Sequence, residues 1–227
     1  MVAISFTDWL FLLMTACIVS CKKKPAYTYV GDHAFTLADE NFCPGTHDSI
    51  IDDTEVEWDF EDRANVTRPT GLVLANSTIQ GAGLGIFTTY TIPAGVWFGP
   101  YEGEVIYDEY QLHYNADYAF QLKKNDYIYM YRDAWNPNTS NWLRYVNCAT
   151  DMMEQNLEFL QCKDEIYFRS IKTILAGQEL MLFYGFGYLY KLKIDMNSYC
   201  KWYNGTFYQA IDSDFICTDE DFRVAYE

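Results

Sequence analysis

The stretch 141–149, Asn-Trp-Leu-Arg-Tyr-Val-Asn-Cys-Ala, mixes polar, aromatic and small residues. It has neither the two-residue period of a strand nor the 3.6-residue period of a helix, so packing alone does not account for it and it is a candidate site. Upstream, Gly81, Gly83 and Gly85 punctuate GAGLGIF at 81–87; glycines there let a backbone take positive φ and approach a ligand closely. No long helix follows them, so they do not mark a dinucleotide-binding turn. The 20 tyrosines suit a site with apolar walls and hydroxyl tips, although most must serve as core and strand residues. No His/Asp dyad stands near these motifs. That is no objection to a chemistry that rests on positioning and drying a reactive group.

Four further segments complete an ordered series with 141–149: GAGLGIF at 81–87, FGPYEGEV at 98–105, IYFRS at 166–170 and AGQELMLFYGFGY at 176–188. Together the five segments resemble the PR/SET lysine methyltransferases, and within them most closely the catalytic domain of the meiotic recombination-hotspot member of the PR-domain zinc-finger family. The resemblance covers roughly residues 70–190. It implies a SET-domain (β-clip) fold, mostly β, of short strands in small sheets with a threaded C-terminal segment and few short helices. It also implies an enzyme that transfers methyl from S-adenosylmethionine to a lysine, most fittingly in a histone tail, within chromatin and transcription regulation. The alternative is a catalytically weak PR domain serving as a protein-interaction module.

By the same resemblance, Ala82, Gly83 and Leu84 would line the S-adenosylmethionine pocket through backbone groups, with Tyr118 beside the cofactor and Asn147 and Cys148 in contact with it. Tyr184 would cap the lysine channel and Tyr101 would be its second tyrosine. Asn115, Ala116, Asp117, Phe120, Gln121 and Tyr184 would receive the substrate. Two departures stand out. Tyr167-Phe168-Arg169 replaces the Phe-Tyr-Arg of close relatives, so Phe168 takes the place of a third channel hydroxyl. No C2H2 finger pattern occurs, which removes sequence-specific DNA reading of the kind those relatives use.

The elements that must position these residues read as short strands between turns. Expected strands lie at 71–75, from 86, at 96–98, at 158–162, 165–174 and 179–183, with a hairpin of 118–122 and 127–131 and a helical turn or two within 108–115. Nothing alternates with long helices as a parallel α/β sheet demands.

A 227-residue chain accommodates one domain with appendages. Its formal charge of −16 argues against a polyphosphate partner and for a basic one, such as a histone tail or another Lys/Arg-rich protein. Acids concentrate in 48–62 and again in 212–227. We expect 25–69 to be an acidic, partly disordered lead and 191–227 a C-terminal extension, either merely solvated or steering a basic partner toward the site. Seven cysteines form no CxxC pair, so no metal is expected; Cys43 and His47 alone do not make a zinc site. The odd count also argues against a disulfide framework.

Residues 1–24 form a hydrophobic N-terminal segment. The apolar run at 9–21, followed by three lysines, looks like a signal-peptide core or a short anchor, yet it is shorter than the ~20 residues a spanning helix wants. Sequons at Asn65, Asn76, Asn138 and Asn204 fit a secretory route in principle. The expected location is the nucleus; a membrane-tethered or secretory location, with membrane contact only through 9–21, and a misassigned start are the alternatives.

Overall fold

Alternating side chains draw the chain into small twisted sheets. The computed structural model describes residues 27–29, 43–113, 116–125, 127–194, 200–203 and 206–210. In chain order the strands are β1 (Tyr27–Tyr29), β2 (Ile50–Ile51), β3 (Leu72–Asn76), β4 (Leu84–Thr88), β5 (Trp97–Phe98), β6 (Glu104–Ile106), β7 (Ala119–Lys124), β8 (Tyr127–Asp133), β9 (Asn147–Cys148), β10 (Leu157–Cys162), β11 (Glu165–Ser170), β12 (Met181–Leu182), β13 (Cys200–Tyr203) and β14 (Thr206–Ala210). One helical turn, Arg63–Val66, and a helix, Phe186–Leu192, join two 3-10 turns, Glu109–Gln111 and Trp142–Tyr145. The fold is mostly β, in small sheets with few short helices, as expected.

The main sheet runs β2-β5-β11-β10-β12-β9. β12 lies between β9 and β10, parallel to both, so a late strand is threaded between two earlier ones. Asn156 locks it there: its amide donates to the Glu179 carbonyl at 2.7 Å and its Oδ1 accepts from Met181 N at 2.8 Å. β3 and β4 pair as a two-stranded ribbon, and β6, β8 and β7 form a third sheet in which the register slips between Leu122 and Lys123. Phe98 and Trp142 are fully buried beneath these sheets and meet edge-on at 5.9 Å. Truncating either ring to alanine would cost about 3–5 kcal/mol, the loss typical of a buried aromatic.

β7 and β10 are not paired as strands, yet a single side chain joins them. Gln161 Oε1 accepts from Lys123 N at 2.9 Å, and its Nε2 donates to the Lys123 carbonyl at 2.9 Å.

From residue 43 the acidic lead lies on the core. β2 pairs with β5, and Asp53 accepts from Trp142 Nε1 and from Asn141 Nδ2, each at 2.7 Å. Buried Arg63 donates to the carbonyls of Glu57 and Ser140 and pairs with Glu102. Of the acids in 48–62 only Asp53 is drawn inward; the others are exposed.

One correction concerns the cysteines. Cys43 and Cys162 form a disulfide, with Cα atoms 4.9 Å apart. An odd count cannot say which two of seven cysteines the fold brings together, so the bridge was not legible from the sequence. It removes Cys43 as a metal ligand, and no cluster able to hold a metal occurs among the described residues. The expected lead and C-terminal extension also meet, since β14 pairs with β1 and β13. No helix among the described residues is long and apolar enough to cross a membrane; the run at 9–21 lies outside them.

Candidate active site

Two faces of the fold carry the expected site residues. The first is a cavity of about 490 Å³, lined by Phe120 on β7, Phe159 on β10 and Phe168 on β11 together with Tyr101 and Tyr184. The rings pack against one another: Phe120 meets Tyr101 at 4.8 Å, Phe159 at 5.1 Å and Phe168 at 5.8 Å. Ala116, Asp117, Tyr118 and Gln121 complete the expected residues that line it. Asn115 lies outside the described residues.

Alternation along β11 decides which hydroxyl the cavity loses. Phe168 points inward and is buried, while Tyr167 faces away, its hydroxyl donating to Glu165 at 2.8 Å. The swapped order Tyr167-Phe168 thus puts the hydroxyl on the outside of the sheet.

The phenols of Tyr101 and Tyr184 are held by backbone carbonyls. Tyr101 donates to the Tyr118 carbonyl at 2.8 Å, and Tyr184 donates to the carbonyl of Val146. Burial pushes both phenols above their usual range, so both stay protonated. With each proton committed to a carbonyl, the oxygen lone pairs are what remain to accept hydrogen from an amine.

The second face holds the glycine turn and the 147–148 segment. Gly81 and Gly83 take φ of 86° and 78°, and nothing lies within 4 Å of where a Cβ would stand on either. Ala82, Gly83 and Leu84 are exposed there. Asn147 Nδ2 donates to the Leu84 carbonyl at 2.9 Å and to Glu179 at 3.0 Å. Glu179, buried, also accepts from Ser77 Oγ, Thr78 N and Thr78 Oγ1 at 2.7–2.8 Å. Gly85 is required for a different reason than its neighbours: a Cβ there would sit 2.0 Å from Glu179 Oε1. An open backbone turn with a polar amide anchored beside it fits a ligand held chiefly through main-chain groups.

Tyr184 connects the two faces, packing against the main core and against the smaller cluster of Cys148, Ala149, Met181, Phe183 and Leu189. Cys148 is buried, and burial pushes its thiol up to about 12, which removes it as a nucleophile.

Sequence reasoning missed several contributors. Glu179 could have been suspected as a lone carboxylate in an apolar run. Arg144 lies over the Tyr118 ring at 4.2 Å, and Tyr188 and Lys191 reach Asp117 from the helix Phe186–Leu192. Tyr184, Tyr188 and Lys191 follow one another at helical spacing, a signal that the strand-like apolar run before them concealed. A His/Asp pair does exist: His113 Nδ1 lies 3.0 Å from Asp133, with the ring stacked on Trp135, but neither residue lines the cavity.

The family model described as PR domain zinc finger protein 2, PR domain, matches residues 72–195. The chain is 35% identical over 147 residues to the histone-lysine N-methyltransferase PRDM7 of Homo sapiens, covering 64% of this chain and 30% of that protein. It is 36% identical over 122 residues to the histone-lysine N-methyltransferase set-17 of Caenorhabditis elegans, covering 54% of this chain and 43% of that protein. The match therefore spans less than half the length of either relative. Among solved structures, the methyltransferase domain of human PR domain-containing protein 2 is 32% identical, with a TM-score of 0.47, covering 53% of this chain and 80% of that one.

Proposed function

Because the chain belongs to the PR-domain family, with more than half its length matched, we propose that it is a protein-lysine N-methyltransferase acting on a basic tail, most fittingly of a histone. Two curated relatives named histone-lysine N-methyltransferases support the class. The observation that carries the reading is the pair Tyr101 and Tyr184, which line one aromatic cavity and whose hydroxyl protons are both committed to carbonyls.

Ala82, Gly83, Leu84, Asn147 and Cys148, with Tyr118, would hold S-adenosylmethionine, which supplies an electrophilic methyl group when bound. The chain's own residues do the rest. Phe120, Phe159 and Phe168 exclude water from a lysine stem, and rings of this kind favour an ammonium passing between them. The lone pairs of Tyr101 and Tyr184 orient the amine once it has lost its proton to solvent. Positioning in a dry channel is the main help such a transfer needs.

A specific observation favours a second reading. Phe168 leaves the cavity without a third hydroxyl, so it could bind a basic tail with little turnover, as an interaction module. Incubation of the purified protein with radiolabelled donor and core histones separates the two. Label in a histone supports the enzyme; no label, and no donor binding by calorimetry, supports the module. We place the protein in the nucleus, as the relatives' names suggest.

A further inference from the structure

The mouth of the cavity holds a carboxylate that is already answering a cation. Asp117 lines the cavity with its side chain 28% exposed, and its Oδ1 pairs with Lys191 Nζ from 74 residues later. The same oxygen accepts from Tyr188 Oη at 3.2 Å, and the Lys191 ammonium lies 5.3 Å from the centre of the Tyr188 ring. A carboxylate, a phenol and a ring face together make a seat for an ammonium or guanidinium group.

Resting on the methyltransferase reading, we propose that this seat selects substrates carrying a second cationic side chain within two residues of the target lysine, and that Lys191 occupies it in their absence. The position suits that role. Tyr188, in the helix that follows Tyr184, has its ring 5.0 Å from the Tyr184 ring, so the seat is about one side chain away from the channel tyrosine. An extended peptide with its lysine in the channel places a neighbouring side chain at that range.

Lys191 is suited to yielding. Its side chain is 46% exposed on a four-carbon stem, and such pairs exchange readily because solvent competes for both charges. Asp117 gains more from a cation brought in by a peptide that also excludes water from the mouth. Glu109, a second carboxylate lining the cavity, adds to the attraction.

The test uses fluorescent peptides with one target lysine and either arginine or glutamine at each of the positions −2, −1, +1 and +2. Binding is followed by anisotropy to the wild type, to Asp117→Asn and to Lys191→Gln. At one or more positions the wild type should prefer arginine by ~10-fold, the scale of a charge-assisted hydrogen bond. Asp117→Asn should erase that preference, and Lys191→Gln should tighten the arginine peptide by removing its internal competitor. No preference at any position, or a preference that survives Asp117→Asn, overturns the proposal. Lys191→Gln lies at the surface and is decisive even if Asp117→Asn folds poorly: an unchanged affinity for the arginine peptide sinks the idea of a placeholder. Methyl transfer to the same peptides is measured in parallel. Preference without transfer removes the methyltransferase reading and leaves the seat, whereas transfer without preference removes only the seat.

Discussion

Asn147 donates its side-chain amide to Glu179 across 3.0 Å, and that contact ties the 147–148 segment to the glycine turn. Glu179 is the common acceptor: Ser77 and Thr78, at the start of the turn, point donors at the same carboxylate.

Glu179→Gln would set an amide N–H against donors already in place. It should lower stability by about 2–4 kcal/mol, since a buried network loses partners it cannot replace. It should also weaken S-adenosylmethionine binding by ~10-fold through misplacement of Asn147 and Leu84. Urea denaturation and calorimetric titration check the two effects, and unchanged donor affinity would detach the turn from the cofactor.

Tyr184→Phe should lower methyl transfer by ~10²-fold or more, as expected when a positioned group acts mainly in the transition state. Donor affinity should barely change, because the exposed turn at 82–84 lies on another face. Phe168→Tyr is the companion variant: restoring a hydroxyl beside Tyr101 should change the ratio of mono-, di- and trimethyl products in mass spectra. Full turnover by Tyr184→Phe would mean that the channel lies elsewhere.

Asp53 makes docking of the lead depend on pH. Burial raises its carboxyl from 3.8 to about 6, outweighing the lowering by the bonds from Trp142 and Asn141. A group with a raised folded pKa contributes stability that is fully present below its unfolded pKa and lost as pH rises through its folded one. The stability of the wild type relative to Asp53→Asn should therefore decline between pH 4 and pH 6. Thermal melts of both proteins across that range measure it, and a flat difference would refute the assignment.

The Cys43–Cys162 bridge spans 119 residues, so its closure should add ~5 kcal/mol by the chain-entropy argument. Reductant should lower the melting temperature, with the fold retained because β2 and Asp53 still hold the lead. Cysteine bridges persist in oxidising compartments. In the nucleus the pair would stand reduced until the protein is isolated, so alkylation at the moment of lysis should find free thiols at 43 and 162; a bridged peptide pair would overturn the nuclear placement in favour of a secretory one. Cys148, with its thiol pushed up to about 12, should remain unlabelled until the protein is unfolded. A secretory protein should also carry glycan at Asn76, which is exposed, before Asn65 or Asn138, whose side chains are hydrogen-bonded.

How legible was this in the sequence? The β7–β8 hairpin was, because its side chains alternate and a polar turn divides them; the slip after Leu122 was not, since period alone does not reveal a bulge. Tyr101, Phe168 and Tyr184 meet although 83 residues separate the first from the last, and motif resemblance brought them together where local pattern could not. β6 was too short to show a period, and the helix Phe186–Leu192 was hidden by its glycine and aromatic content. The disulfide, the Asp53 clamp and the Asp117–Lys191 pair are contacts between distant segments. Each depends on the finished fold, and no residue within any of these segments announces its partner.

Gln161 does not line the cavity, yet it regulates the bore. Its amide stands in for the peptide group of an absent neighbouring strand at Lys123, and so fixes the gauge between the wall that bears Phe120 and the one that bears Phe159 and Phe168. Asparagine would be one methylene too short to reach, and glutamate would meet the Lys123 carbonyl with no donor. The size of group that fits between the rings is thus inherited from the length of a side chain that never touches it, and a lineage could retune that size without altering any residue of the cavity itself.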